Sequence, residues 1–132
     1  MEKIKYYTLS QEERIKIEKK IKDILSHDEN IIFAFIHGSF ISGNPFRDID
    51  IAVFLKDEKD AFSYVTRYSA KIEIEIKYPI DLHVLNEAPL TFQYHAITKG
   101  KLLLSRDELT LDLFIERTLK KYWDFKILLE YI

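Results

Sequence analysis

Two aspartates, Asp48 and Asp50, stand one residue apart at the start of an apolar segment that runs to Leu55. The β-branched and aromatic residues of this segment predict a buried strand. Because side chains alternate along a strand, both carboxylates point to one face, roughly 6–7 Å apart along the chain. Two like charges on one face repel each other, and Mg²⁺ relieves such repulsion through carboxylate oxygens. The pair therefore predicts a divalent metal site.

A Gly-Ser turn precedes the two aspartates. Gly38 and Ser39 follow another apolar segment, residues 31–36, which is also a predicted strand. Glycine allows the backbone to approach another group closely, and the turn offers N–H groups and a hydroxyl to a phosphate. A phosphate-binding turn beside paired carboxylates provides the groups needed for metal-assisted phosphoryl or nucleotidyl transfer.

A third carboxylate, Asp81, lies within the apolar segment 80–85, a third predicted strand. An aspartate there is costly unless it is paired, exposed or bound to a metal. An isolated Asp-x-Asp pair is more often a solvated strand start, but the Gly-Ser turn and Asp81 favour a site. His37 adjoins the turn, where it either contacts a phosphate or simply packs; His83 shares the face of Asp81 and is a candidate to tune it.

The remaining chain supplies elements to hold these groups. Ser10 and Glu13 form a capping box that opens a helix, and Ser105 and Glu108 suggest a second one before a long C-terminal helix. Residues 40–47 are expected to form a loop. Residues 61–77 fit both helical spacing and strand alternation; we favour a helix, because it naturally links strands that are not hairpin neighbours. A short helix between Pro89 and Gly100 precedes a final strand.

The C-terminal helix carries more apolar residues than one packing face requires. Its main seam comprises Leu111, Ile115, Thr118, Tyr122, Phe125 and Leu129, and it is widened by Phe114, Trp123, Leu128 and Ile132. One interpretation is an amphipathic helix on the domain core. The other is a partner surface, since aromatic residues are enriched in interface cores.

Composition limits the classes of function. The 132 residues suffice for one domain, residues 1–132. The net charge of −2 provides no basic field, so direct nucleic-acid binding is not expected. Without cysteine, disulfides and thiolate metal sites are excluded. No apolar run approaches the ~18 residues of a membrane span, and no signal-peptide pattern is present, so we expect a cytoplasmic protein without membrane contact.

Gly38-Ser39, the spacer and Asp48-Ile49-Asp50 together resemble the signature of the DNA polymerase β nucleotidyltransferase superfamily. The short length and downstream pattern are similar to its minimal nucleotidyltransferase (MNT) branch. The resemblance implies an α/β (α+β) fold, a small mixed sheet flanked by helices with a long C-terminal helix. It also implies that Asp48 and Asp50 ligate two Mg²⁺ ions, that Asp81 completes the site, and that Gly38 and Ser39 bind the triphosphate.

Two features depart from the family pattern. The spacer, residues 40–47, is shorter than is usual in the MNT branch, and Arg47 stands where a Ser or Thr usually precedes the first aspartate. Two roles are open to Arg47: contact with a nucleotide phosphate, or partial neutralisation of the carboxylates. Both departures bear on the catalytic rate more than on the fold.

The resemblance implies an antitoxin that transfers AMP from ATP to a hydroxyl, expected to be a tyrosine of a cognate HEPN toxin. We expect the acceptor on another chain, because there is no room here for an extra acceptor-binding domain. One alternative is a catalytically weak or inactive antitoxin that neutralises the toxin by binding. Another is a homo-oligomeric nucleotidyltransferase acting on a small molecule.

Overall fold

The computed structural model describes residues 3–132, which form one four-stranded sheet with its helices. The elements, in chain order, are α1 (Gln11–Ser26), β1 (Ile31–His37), α2 (Ser39–Ser42), β2 (Ile49–Leu55), α3 (Ala61–Ser63), a π-helical turn (Tyr64–Tyr68), α4 (Ser69–Ile76), β3 (Ile80–Val84), α5 (Leu90–Lys99), β4 (Lys101–Ser105) and α6 (Glu108–Glu130). The expected three strands, the short fourth strand and the long C-terminal helix are all present.

The sheet is mixed, with the strand order β3-β2-β1-β4. β1 runs antiparallel to β2 and β4, whereas β2 and β3 are parallel. Parallel neighbours need a crossover connection, and α3, the π-helical turn and α4 supply it without a break. The helical interpretation of residues 61–77 is therefore confirmed, although the π-helical turn inside it was not predicted.

Alternation along the strands divides the apolar core between the two faces of the sheet. On one face, Ile49, Ile51 and Val53 belong to a cluster with residues of α1 and α4. On the other, Phe33 and Ala52 pack with residues of α5 and α6. Asp50 lies between Ile49 and Ile51, so its side chain is directed to the α5 side of the sheet.

The N-terminal cap predicted for α1 is present, whereas the cap predicted for α6 is not. At α1, Ser10 Oγ accepts a bond from the Glu13 N–H (3.1 Å), and Glu13 Oε1 accepts one from the Ser10 N–H (3.2 Å). The capping box predicted for Ser105 is wrong: Asp107 caps α6 and accepts from the Leu109 and Thr110 N–H groups. Ser105 is still paired with Phe33 in the sheet, so the helix begins only beyond it.

The segment 40–47, expected to be a loop, contains part of a helical turn. α2 begins at Ser39 and ends at Ser42, and the following residue, Gly43, takes the left-handed conformation at φ +86°. Such a C-terminal glycine is common because it has no β-carbon to oppose this φ. The first part of the connection between β1 and β2 is therefore helical rather than irregular.

The apolar seam of α6 is only partly buried. Leu111 and Thr118 are buried, and Tyr122 stacks on Tyr94 with ring centroids 3.5 Å apart. Beyond Tyr122 the helix is exposed, including Phe125 and Leu129, so the interpretation as a helix packed on the core applies only to the first part of the seam. Within residues 3–132, no helix combines the length and apolar character needed to cross a membrane.

The corrected cap of α6 is testable with two alanine variants. Asp107→Ala removes the acceptor of two backbone N–H groups and should lower the melting temperature by a few degrees. Ser105→Ala should have little effect, because the buried Ser105 hydroxyl has no hydrogen-bond partner among the described residues. Thermal unfolding of both variants checks this. A larger loss for Ser105→Ala would restore Ser105 as the cap.

Candidate metal and nucleotide site

Three carboxylates converge at one end of the parallel strand pair. Asp50 on β2 is the register partner of Asp81 on β3, and Asp48 directly precedes β2. One oxygen atom from each of the three residues lies within 4.8 Å of the other two. The parallel register thus brings together the three aspartates that the sequence singled out. An all-oxygen donor set of this kind suits a hard cation such as Mg²⁺.

The electrostatics of this cluster centre on Asp50. Burial, followed by the nearby charges of Asp48 and Asp81, raises the pKa of Asp50 to about 7. Without a cation, the cluster therefore retains a proton on Asp50 at near-neutral pH. A bound cation would favour the charged form of all three carboxylates.

Gly38 approaches Asp50 more closely than any other residue type allows. Its φ is +82°, and a β-carbon placed on it would lie 2.1 Å from Oδ2 of Asp50. The sequence suggested that a glycine is needed here for close approach to a phosphate; the structure shows that the neighbouring group is the Asp50 carboxylate. Ser39 follows at the start of α2, exposed beside this contact.

Two polar residues of the crossover helix hold the start of β3, one residue before Asp81. Glu73 Oε1 accepts a hydrogen bond from the Ile80 N–H (3.0 Å), and Ser69 Oγ donates to the Ile80 carbonyl (3.2 Å). The sequence analysis missed this positioning role. The available signal was the four-residue spacing of Ser69 and Glu73, which places both on one helix face.

The two histidines near the cluster differ in environment. His83 Nε2 lies 3.1 Å from Asp81 Oδ2, so His83 does share the side of Asp81. His37 is buried and packs edge-on against Phe92, with ring centroids 5.5 Å apart. Burial, followed by the charges of His95 and His83, lowers the pKa of His37 to about 4. A buried, neutral imidazole agrees with the packing interpretation of His37 rather than with a phosphate contact.

Arg47 is exposed and forms no ion pair with the three aspartates within the described part of the chain. The structure therefore gives no sign that Arg47 neutralises the carboxylates. Its contact with a nucleotide phosphate stays a prediction.

Comparison with known proteins identifies the family to which this chain belongs. The sequence profile of the family described as "Polymerase beta, Nucleotidyltransferase" matches residues 19–109, which include all three aspartates and the Gly-Ser turn. The chain belongs to this nucleotidyltransferase family. The superfamily membership expected from the Gly-Ser and Asp-x-Asp pattern is thus confirmed. A search of curated protein sequences found no significant match.

Several solved structures share the fold of this nucleotidyltransferase. A chain from the complex of a tri-AMPylated Shewanella oneidensis HEPN toxin with an MNT antitoxin is 23% identical, with a TM-score of 0.71 over 86% of this chain and 90% of that chain. A toxin–antitoxin structure with AMP-PNP is 26% identical, with a TM-score of 0.73 over 83% and 90%. An MntA–HepT toxin–antitoxin structure is 23% identical, with a TM-score of 0.70 over 86% and 90%. The expected fold is confirmed.

The contact between Gly38 and Asp50 generates a prediction with a built-in control. Gly38→Ala places a β-carbon on the Asp50 carboxylate and should abolish the thermal stabilisation that Mg²⁺ gives the wild type. Gly43→Ala introduces similar backbone strain at φ +86°, but nothing lies within 4 Å of its β-carbon. It should therefore retain the Mg²⁺ effect. Equal loss in both variants would show that strain, rather than the carboxylate contact, is responsible.

The raised pKa of Asp50 predicts how stability without metal depends on pH. Its folded-state pKa of about 7 exceeds its ordinary value of 3.8, so the folded protein binds a proton that the unfolded chain releases. This proton therefore contributes its full share to the free energy of unfolding below pH 3.8, and that contribution is lost as the pH rises through about 7. In EDTA, wild type should thus lose stability between pH 3.8 and about 7, whereas Asp50→Asn, which has no such carboxylate, should not. The stability of the variant relative to wild type should therefore increase with pH. Denaturant unfolding at several pH values measures it; a constant difference would contradict the raised pKa.

Proposed function

We propose that this protein is a Mg²⁺-dependent nucleotidyltransferase that transfers AMP from ATP to a hydroxyl group, and that its acceptor is a tyrosine of a HEPN toxin. The observation that carries the proposal is the convergence of Asp48, Asp50 and Asp81 beside the Gly38-Ser39 turn. Family membership supports the reaction class. A metal-assisted transfer needs such a cluster of oxygen ligands next to a phosphate-binding turn.

Each residue of the site has a role in this scheme. Asp48, Asp50 and Asp81 would hold Mg²⁺, which when bound neutralises charge and polarises phosphate oxygens. Gly38 and Ser39 bind the triphosphate through the turn. Arg47, exposed next to Asp48, provides a positive charge for a phosphate oxygen.

The transfer reaction exchanges the phosphoanhydride bond between the α- and β-phosphates of ATP for a phosphoester bond to the acceptor. The acceptor hydroxyl oxygen forms a bond to the α-phosphorus of ATP, the bond from that phosphorus to the β-phosphate oxygen breaks, and pyrophosphate leaves. The hydroxyl proton passes to Asp81, whose side chain is 48% exposed and therefore accessible to an acceptor. His83, 3.1 Å from Asp81, holds that carboxylate in place.

The choice of adenine nucleotide and of a toxin acceptor rests on the structural relatives. One relative was solved with AMP-PNP, and another in a complex whose HEPN toxin is tri-AMPylated. Both matches span 90% of the relative's chain, so the likeness extends over most of each relative. These two relatives support ATP as the donor and a HEPN toxin as the partner.

A transfer assay tests the proposed reaction. The assay partner is the protein encoded next to this one, expected to be a HEPN-domain toxin. We expect label from α-³²P-ATP to appear on that protein when Mg²⁺ is present, and Asp48→Asn with Asp50→Asn should reduce the label at least about 100-fold. Asp112→Asn, an exposed aspartate on α6, is the matched control and should keep full activity. Absence of label with the wild-type protein, although the two proteins form a stable complex, would overturn the enzymatic function.

A second candidate function, an antitoxin that neutralises its partner by binding alone, is favoured by the exposed end of α6. Trp123 is 55% exposed and Leu128 is 60% exposed, and Phe125, Ile127 and Leu129 around them are also exposed. Exposed apolar residues on all sides of a helix are unusual on a monomer, and aromatic residues frequently dominate binding energy. This surface is available to a partner whether or not transfer occurs.

The binding function predicts a distinct set of variants. Trp123→Glu and Leu128→Glu should weaken the complex with the HEPN-domain protein at least about 30-fold. Phe62→Glu is the matched control, since Phe62 is 78% exposed on a different helix, α3. Calorimetric titration of the three variants measures the affinities. Unchanged affinity for both α6 variants would exclude this surface from the interface.

A further inference from the structure

Arg14 is a buried guanidinium that contacts the segment after Gly38. It lies on α1, on the same helix face as the buried Ile21 and Leu25, and it is only 4% exposed. No carboxylate of the described residues pairs with it. Its donors instead bond to main-chain carbonyls: Nε to Leu9 (3.0 Å), Nη1 to Phe40 (2.7 Å) and Nη2 to Asn44 (3.0 Å).

Two of these bonds, to Phe40 and Asn44, satisfy carbonyls in and just after the one-turn helix α2. The last four carbonyls of any α-helix lack intrahelical partners, and α2 has only four residues. Arg14 donates hydrogen bonds to the Phe40 carbonyl inside α2 and to the Asn44 carbonyl just beyond the end of α2. The rings of Phe40 and Phe46 lie 5.6 and 5.2 Å from its guanidinium carbon, within the range of cation–π attraction.

The acceptors of Arg14 lie on the same turn as the candidate phosphate-binding residues. Ser39 begins α2, directly after the Gly38 backbone that contacts Asp50. A displacement of α2 would therefore move Ser39 relative to the aspartates. Phe46, at the other end of the segment, is paired with Tyr7 through two backbone hydrogen bonds of 2.8 and 3.0 Å. Arg14 thus holds the middle of a segment whose ends are already fixed.

We propose that Arg14 is a positioning residue of the nucleotide site: it holds the turn formed by residues 39–44 so that Ser39 faces the aspartates. This inference rests on the proposed function, since it assigns Ser39 to nucleotide binding. Lysine cannot replace arginine here, because a single ammonium group cannot serve carbonyls on separate segments in the planar geometry of the guanidinium.

The chain offers a matched control at the opposite end of β1. Arg106 also donates to main-chain carbonyls, including those of Ile31 (2.8 Å) and Asp28 (3.1 Å). Ile31 begins β1, whereas Gly38 and Ser39 follow its end. Arg106→Lys therefore removes a comparable set of bonds from the fold without touching the turn. Comparing Arg14→Lys with Arg106→Lys therefore distinguishes an effect on the position of the turn from a general loss of fold stability.

The test combines hydrogen–deuterium exchange with titration of AMP-PNP and Mg²⁺. Arg14→Lys should speed exchange at residues 39–46 and weaken nucleotide binding at least about tenfold, whereas Arg106→Lys should leave both nearly unchanged. Unchanged affinity in a folded Arg14→Lys, or equal weakening in both variants, would overturn the proposal.

Two further measurements separate the possible failures. If the wild type binds no nucleotide, the proposed function fails, and exchange at residues 39–46 still decides whether Arg14 holds the turn: unchanged exchange in Arg14→Lys would overturn it. If Arg14→Lys does not fold, ¹⁵N NMR of the wild type decides. The Arg14 Nε resonance should then shift on addition of AMP-PNP and Mg²⁺ more than that of Arg106, and equal shifts would overturn the proposal.

Discussion

The close approach between the Gly38 backbone and the Asp50 carboxylate is the contact on which the candidate site depends. A β-carbon at residue 38 would lie 2.1 Å from Oδ2 of Asp50, so the turn and the carboxylate occupy this volume together only because residue 38 is glycine. The antiparallel pairing of β1 with β2 creates the contact, since His37 is the register partner of Asp50. The parallel pairing of β2 with β3 then adds Asp81 beside Asp50. One sheet register thus assembles the turn and the carboxylates.

This arrangement carries an electrostatic cost in the protein alone. Placing a half-buried carboxylate between two others raises the pKa of Asp50 to about 7, which means that the charged cluster is unfavourable until a cation joins it. The surrounding fold holds the groups in place despite this repulsion. Glu73 and Ser69 bind the backbone at the start of β3, and Arg14 binds the turn after Gly38. The three carboxylates thus already lie together in the protein alone, as a preorganised metal site requires.

The sequence was informative where one residue type has few structural uses. Asp48, Asp50 and Asp81 are charged residues at the edges of apolar strands, and Gly38 is one of only three glycines, so all were recognised as candidates. The helix over residues 61–77 followed from the expectation that the strands on either side of it are not hairpin neighbours. Arg14 was not singled out, although its seven-residue spacing from Ile21 places it on the apolar face of α1. Only the tertiary structure shows that main-chain carbonyls in and after α2 are its partners. The cap of α6 was misplaced because both Ser105 and Asp107 suit an N-cap, and the choice depends on how far β4 pairs with β1. The sequence left open how far α6 packs on the core, since periodicity does not reveal where the neighbouring helix ends.

The most direct test of the account is a crystal structure of the protein with Mg²⁺ and a non-hydrolysable ATP analogue. The account predicts Mg²⁺ in contact with carboxylate oxygens of Asp48, Asp50 and Asp81, and triphosphate oxygens beside Gly38 and Ser39. A nucleotide bound elsewhere on the domain, or bound at the turn while the three carboxylates hold no cation, would contradict it.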